Sequence, residues 1–159
     1  MTDESTSHDP LVQGVDAPTD RLGLRVLDTG RCWELIEDQA VGRLAIIVGS
    51  RPHLVPINFV VRGGEVLFVS VPGTKLGEAL DRPGATAQFE VDNFDAEGRT
   101  GWSVVVTGTL HPVMDLVEHT RLDIQGRPIW LDGHRDRSWL KLVPTRVEGR
   151  AMGGLVDEG

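Results

Sequence analysis

Three short apolar segments separated by hairpin-length stops constrain the fold of this chain more than any other feature. The segments are GRLAIIVG at 42–49, HLVPINFVV at 53–61 and EVLFVSV at 65–71, and all are rich in β-branched residues. The stops between them, GSRP and RGG, supply the glycine and proline that tight turns need. We therefore predict an antiparallel meander over residues 42–71. Pro56 cannot donate to a strand ladder, so its position indicates a sheet edge or a bulge.

The remainder of the chain adds further strands and a few short helices. Helical spacing marks three segments, namely Cys32, Trp33, Leu35 and Ile36 after a cap at Asp28 or Thr29, then Leu76, Ala79 and Leu80, then Met114, Val117 and Leu122. Strands are predicted at ATAQFEVD, GWSVVVTGTLHPV, SWLKLVP and TRVEGRAM, with the last two separated at Pro144. The pattern favours a mainly β fold, a closed antiparallel barrel with two or three short α-helices, over a layered α/β fold.

The length of 159 residues suits one domain between two tails. Residues 1–21 are polar, contain two prolines and show no apolar period, so they are expected to form a flexible tail. Residues 153–159 are expected to form a second tail. The body at 22–152 is long enough to bury one core.

Charge and cysteine content narrow the class of protein. The net charge of −8 is unfavourable for general nucleic-acid binding, which needs clustered Lys and Arg. No apolar run approaches the ~20 residues that span a bilayer, and no basic-then-apolar leader opens the chain, so no membrane partner is expected. Cys32 is the only cysteine, which excludes an intrachain disulfide, and together these features favour the cytoplasm.

No catalytic motif or metal-ligand spacing is present in the sequence. The chain has no tyrosine and no G-x-S-x-G turn, and its five histidines stand alone rather than in H-x-H or H-x-x-x-H pairs. We expect no metal site. Glu90 and Asp92 are two residues apart on a predicted strand, so they lie on the same face. Such a pair could serve acid–base chemistry, and the alternative is a solvated strand face.

The segment Pro72–Leu76 is a candidate phosphate cradle. Gly73, the hydroxyl of Thr74 and the cation of Lys75 open a short helix, and Lys75 is one of only two lysines beside fourteen arginines. The alternative is a capped surface helix with one solvated lysine.

Two further segments place polar groups among apolar neighbours. Asn58 lies in a β-branched strand, where its amide requires a partner, either a ligand or a neighbouring loop. Trp102 and Ser103 open another strand beside a polar loop; Trp102 is expected in a core or at an interface, and Ser103 or Arg99 could bind a phosphate or a ring oxygen.

The ordered segments resemble a known family. VGRLAII, RPHLVPINFVV, VLFVSVPGTKL, AQFEVDNFD and TGWSVVVTGTL together resemble the pyridoxamine 5′-phosphate oxidase-like proteins, and within them the short flavin-binding branch common in actinobacteria. The resemblance covers about residues 25–150. It implies a split β-barrel that binds FMN at a homodimer interface, with a deazaflavin coenzyme or haem as the alternatives used in this branch.

The resemblance also implies which residues hold the cofactor. By position they are Thr74 and Lys75 for the phosphate, Pro56, Ile57, Asn58 and Phe59 along the flavin ring, Gln88 and Glu90 on the strand beside it, and Trp102 and Ser103 on the strand that reaches it. The Arg- and Pro-rich C-terminal segment of true pyridoxamine 5′-phosphate oxidases is missing, since the chain ends TRVEGRAMGGLVDEG. We therefore expect an FMN-dependent oxidoreductase acting on another small molecule, or alternatively a flavin or deazaflavin carrier or sensor without turnover.

Overall fold

Antiparallel strands make up most of this protein, for which a computed structural model describes residues 18–79, 84–125 and 137–153. The strands of these residues are β1 (Arg25–Leu27), β2 (Val41–Val48), β3 (Arg51–Arg62), β4 (Glu65–Ser70), β5 (Thr86–Asp95), β6 (Thr100–Pro112) and β7 (Ser138–Met152). The helices are α1 (Thr29–Glu37), α2 (Lys75–Ala79) and α3 (Leu116–Gln125).

Six of the strands close into a barrel in the order β7-β4-β3-β2-β5-β6, with β6 pairing again to β7. The predicted meander is confirmed, since β2 pairs with β3 and β3 with β4, all antiparallel. The three-residue strand β1 was not predicted, and it lengthens the sheet by pairing with Gly149–Ala151 of β7. The predicted mainly β barrel is thus confirmed, and the described residues contain three helices where two or three were expected.

The prediction of two final strands broken at Pro144 is wrong, because β7 runs for 15 residues without ending there. Its register with β6 shifts between Thr107, which faces Arg146, and Gly108, which faces Pro144. Thr145 is the extra residue of this bulge, so Pro144, which has no N–H to donate, lies where the regular ladder is interrupted. Gly108 suits this bulge because a Cβ there would collide with the carbonyl of Val143.

The barrel interior holds the main core. Its fully buried side chains include Leu44, Phe68 and Phe89, and α1 adds Cys32 and Ile36 to the same cluster. The helical stripe that Cys32 shares with Leu35 and Ile36 predicts a core position, and its 0% exposure confirms that prediction. Burial, with a smaller contribution from Asp28, raises the pKa of the Cys32 thiol to about 11, so the residue is a packed thiol rather than a reactive thiolate.

Strand β4 is buried on both faces. Val66 and Phe68 point into the main core, whereas Leu67 and Val69 belong to a second cluster that includes Leu122 of α3. A strand buried on both sides is expected to be apolar throughout. The last residue of β4, Ser70, departs from that expectation and lies at the site described below.

The described body begins a few residues before the predicted boundary at residue 22. Thr19 bridges to Arg25, and the carboxylate of Asp20 forms an ion pair with Arg150 at 3.0 Å. The rest of the predicted N-terminal tail, residues 1–17, and residues 154–159 of the C-terminal tail lie outside the described residues. None of the described helices is long and apolar enough to cross a membrane.

Candidate functional site

A cavity of about 340 Å³ opens where β3 and β4 separate. The two strands pair only from Phe59 opposite Phe68 to Arg62 opposite Glu65. Beyond that point β3 stays with β2, and β4 stays with β7 as far as Ser70. The gap between the diverging strands is closed at one side by the start of α2. The lining residues are Val55, Pro56, Ile57, Asn58, Val69, Ser70, Val71, Thr74, Lys75 and Leu76.

The wall formed by β3 is a free strand edge. Among the described strands, residues 51–58 of β3 pair only with β2, so their other edge has no ladder partner. The prediction that Pro56 occupies an edge position is therefore confirmed. Alternate residues of such an edge direct N–H and C=O groups outward, which suits a planar ligand with its own donors and acceptors.

Two side-chain oxygens of the cavity lining are buried without a hydrogen-bond partner among the described residues: Ser70 Oγ and Asn58 Oδ1. Ser70 is only 3% exposed. The amide nitrogen of Asn58 donates to the carbonyl of Ala40 at 3.1 Å, so the predicted loop contact exists, but it uses only the nitrogen. An unpaired buried polar group costs about 1–3 kcal/mol, so the cavity lining holds hydrogen-bonding capacity that its own residues leave unused.

The predicted phosphate turn lies at the cavity rim. The hydroxyl of Thr74 donates to the carbonyl of Val71 at 2.6 Å and accepts from the N–H of Gly77 at 3.2 Å, so it caps α2. For Thr74 to donate to a phosphate, the bond to Val71 would have to break. The ammonium of Lys75 contacts the carboxylate of Glu78 at 3.0 Å, and both side chains are about half exposed. The rim cation is thus already paired.

Half of the residues that the resemblance implied do not line this cavity. Phe59 points into the core and meets Phe89 edge to face, with ring centroids 4.8 Å apart. Trp102 is 6% exposed within the core of its own chain, which contradicts its use as an exposed interface anchor. Gln88, Glu90 and Ser103 alternate with buried neighbours and face outward on β5 and β6. Contact between these five residues and a cofactor stays a prediction.

Glu90 and Asp92 form a charged cluster on that outward face. Arg43 Nη1 lies 3.3 Å from Glu90 Oε2 and 3.0 Å from Asp92 Oδ1. Burial, and next the negative charge of Asp92, raise the pKa of Glu90, while Arg43 opposes the shift. Both carboxylates are paired with Arg43 on the outside of the barrel. This arrangement favours the solvated surface over the acid–base pair as the role of Glu90 and Asp92. Within the described part of the chain, no three His, Cys, Asp or Glu residues are arranged to hold a metal ion.

Ser70 is the polar residue of the cavity lining that sequence reasoning missed, beside four apolar ones. The available signal was its place in EVLFVSV, where it is the only polar residue after Glu65. A run apolar on both faces indicates a fully buried strand, in which a hydroxyl needs a specific partner. That pattern distinguishes Ser70 from an ordinary surface serine.

The sequence of this chain matches a known protein family over most of its length. Residues 28–151 match the family model described as pyridoxamine 5′-phosphate oxidase, which is most of the chain. The chain belongs to this family, as the ordered strand segments predicted. The matched region contains the whole cavity lining.

Several known proteins are similar to this chain. A FAD binding protein from Mycobacterium smegmatis has 32% identity and a TM-score of 0.67, with 80% of this chain and 99% of that one covered. A FAD-binding protein from Mesorhizobium loti has 26% identity and a TM-score of 0.65, with coverage of 80% and 96%. An uncharacterized protein of Mycobacterium tuberculosis is 32% identical over 92 residues, which span 56% of this chain and 60% of that relative.

Proposed function

We propose that this protein binds a flavin, with the ring in the cavity between β3 and β4 and the first phosphate near Lys75. The observation that carries the proposal is the cavity itself, which combines a free strand edge, two unpaired buried oxygens and a rim cation. The flavin ring system is planar, and most of its surface is apolar. Its pyrimidine edge carries both N–H and C=O groups. Membership of a family with FAD-binding relatives supports the same ligand.

The size of the cavity bears on which flavin is bound. Ligand pockets range over roughly 300–1,000 Å³, so a cavity of about 340 Å³ is at the small end and suits one ring system. FMN, which the sequence predicts, would place its ring there and its phosphate at the rim. FAD is the second candidate because two relatives are FAD-binding proteins, and its adenosine half would extend beyond this cavity. A deazaflavin coenzyme is the third.

We infer further that the protein is an oxidoreductase acting on a small molecule. When bound, a flavin supplies hydride or electron transfer, and the protein supplies position and electrostatics. Here Ser70 and Asn58 would orient the ring, the apolar side chains of Val55 and Val69 would exclude water, and Lys75 would hold the phosphate. A carrier or sensor without turnover would need the same pocket and is the alternative.

Two measurements test this proposal. The visible spectrum of the purified protein should show a flavin, and mass spectrometry of the compound released on denaturation should identify FMN, FAD or a deazaflavin. Reduction of the bound flavin followed by oxygen, quinones or nitro compounds should give multiple turnovers. One turnover per protein would favour the carrier, and a colourless protein with no affinity for any flavin would refute the whole proposal.

We also propose that the protein is a homodimer. Because Trp102 is buried, the proposed contact lies on the outer face of β2 and β3, where Ile47 is 60% exposed and Leu54 is 69% exposed. Leu54 lies opposite Ala45 and Ile47 lies opposite Pro52, so both side chains share one face of the barrel. Neighbouring exposed apolar side chains on a flat sheet suit an isologous contact.

Leu54→Ala should weaken this dimer by roughly 5-fold, because it removes about 1 kcal/mol of apolar burial from the contact. Light scattering across a dilution series would measure the change. Met114→Ala, which alters an exposed apolar residue beside α3, is the matched control and should leave the dimer unchanged. A monomer at micromolar concentration in the unsubstituted protein would contradict the proposal.

A further inference from the structure

We propose that Glu78 determines how strongly the cavity rim holds an anionic ligand group, because its carboxylate competes with that group for Lys75. The inference rests on the proposed flavin function and adds a residue that sets the preference between phosphorylated and unphosphorylated ligands. Glu78 itself does not line the cavity, and it acts through the cation that does.

The competing contact is a two-oxygen ion pair within α2. Lys75 Nζ lies 3.0 Å from Glu78 Oε2 and 3.3 Å from Glu78 Oε1. Among the described residues that line the cavity, Lys75 alone has a cationic side chain. The positive charge at this rim is therefore shared with an acidic neighbour one helical turn away.

An independent observation points to a ligand at this cavity. Ser70, buried to 97%, belongs to the cavity lining, and its hydroxyl oxygen has no partner among the described residues. The ligand argument thus does not depend on Lys75 or on the short helix α2. Lys75 adds only the charge that a phosphate at the rim would meet.

A phosphate can take Lys75 only by displacing the Glu78 carboxylate. Exposed ion pairs of this kind are worth about 0.2–1 kcal/mol, so the displacement lowers phosphate affinity by a small but measurable factor. A ligand without a phosphate leaves the pair intact. The ratio of FMN to riboflavin affinity therefore reports the competition and cancels effects on the ring site.

Glu78→Gln should tighten FMN about 2- to 5-fold and change riboflavin affinity little, as fluorescence titration of the apoprotein would show. Glu65→Gln is the matched control. Glu65 pairs with the other lysine, Lys141, at 3.3 Å, so this variant makes the same change in net charge away from the cavity lining. It should leave the FMN to riboflavin ratio unchanged.

A second background separates competition from simple repulsion of the phosphate by Glu78. With Lys75→Ala already present, Glu78→Gln should no longer tighten FMN, because there is no cation left to release. An equal gain in both backgrounds, or a ratio that matches the Glu65→Gln control, overturns the inference while flavin binding stands. Absence of any FMN and riboflavin binding by the unsubstituted protein overturns the proposed function as well.

Discussion

Replacing Lys75 by alanine is expected to weaken FMN binding about 10-fold while leaving riboflavin binding nearly unchanged. A charge-assisted contact is worth about 1.5–3 kcal/mol, and the exposed pair with Glu78 offsets about 0.2–1 kcal/mol of it. The remainder is near the 1.4 kcal/mol that corresponds to a tenfold change in affinity. Fluorescence titration of the apoprotein with the two ligands measures both values.

Lys141→Ala is the control for this experiment, because it removes the other lysine, which is also paired with a glutamate. Lys141 belongs to β7 and does not line the cavity, so its loss should leave both affinities unchanged. Equal weakening of FMN and riboflavin by Lys75→Ala would show a stability effect rather than a phosphate contact. In that case α2 would be an ordinary surface helix capped by Thr74, with no role in phosphate binding.

Ser70→Ala is expected to raise the stability of the apoprotein and to weaken flavin binding. The substitution removes a buried hydroxyl that has no partner among the described residues, which should stabilise the fold by about 1 kcal/mol and raise Tm by about 2–4 °C. Loss of one hydrogen bond, together with the unpaired ring atom left behind, should weaken both FMN and riboflavin about 10-fold. Calorimetry should show the rise in Tm, and flavin titration of the same preparation should show the fall in affinity.

The opposite signs are what distinguish a binding residue from a structural one. Ser138 lies directly opposite Ser70 on β7 and is exposed, so Ser138→Ala makes the same chemical change outside the cavity. It should change neither Tm nor affinity appreciably. If Ser70→Ala lowered stability, the hydroxyl would have a structural partner and the argument from its burial would fail.

Much of the fold could be predicted because the local signals and the tertiary contacts agree. The turns at residues 49–50 and 63–64 join strands that pair with their sequence neighbours, and Asp28 caps α1 where the helical spacing begins. The bulge at Pro144 could not be predicted, since it depends on β6, a strand distant in sequence. The same is true of β1, whose three residues are a strand only because β7 lies beside them.

The candidate site was predicted in part for a related reason. Pro56, Asn58 and Lys75 were predicted as site residues and do line one cavity. Each lies in a strand or turn whose contacts are with segments close to it in the sequence, so its position could be predicted. Which way Trp102 points, inward or outward, depends on the phase of β6 in the barrel, and one aromatic residue does not reveal that phase. The spacing of three residues between Lys75 and Glu78 is compatible with an ion pair on a helix. Only the side-chain positions in the structure show that the pair forms.

The partners of β7 also have a consequence for how this protein is made. Residues 138–152 pair with β1, β4 and β6, and the barrel closes only through them. A chain emerging from the ribosome has synthesised six strands and most of its apolar core before this closing strand appears. Until then the edges of β4 and β6 lack their final partner, and open edges of this kind invite pairing with other chains. Closure of the barrel during synthesis therefore waits until residues 138–152 have been made, and before that point the exposed edges are open to pairing with other chains.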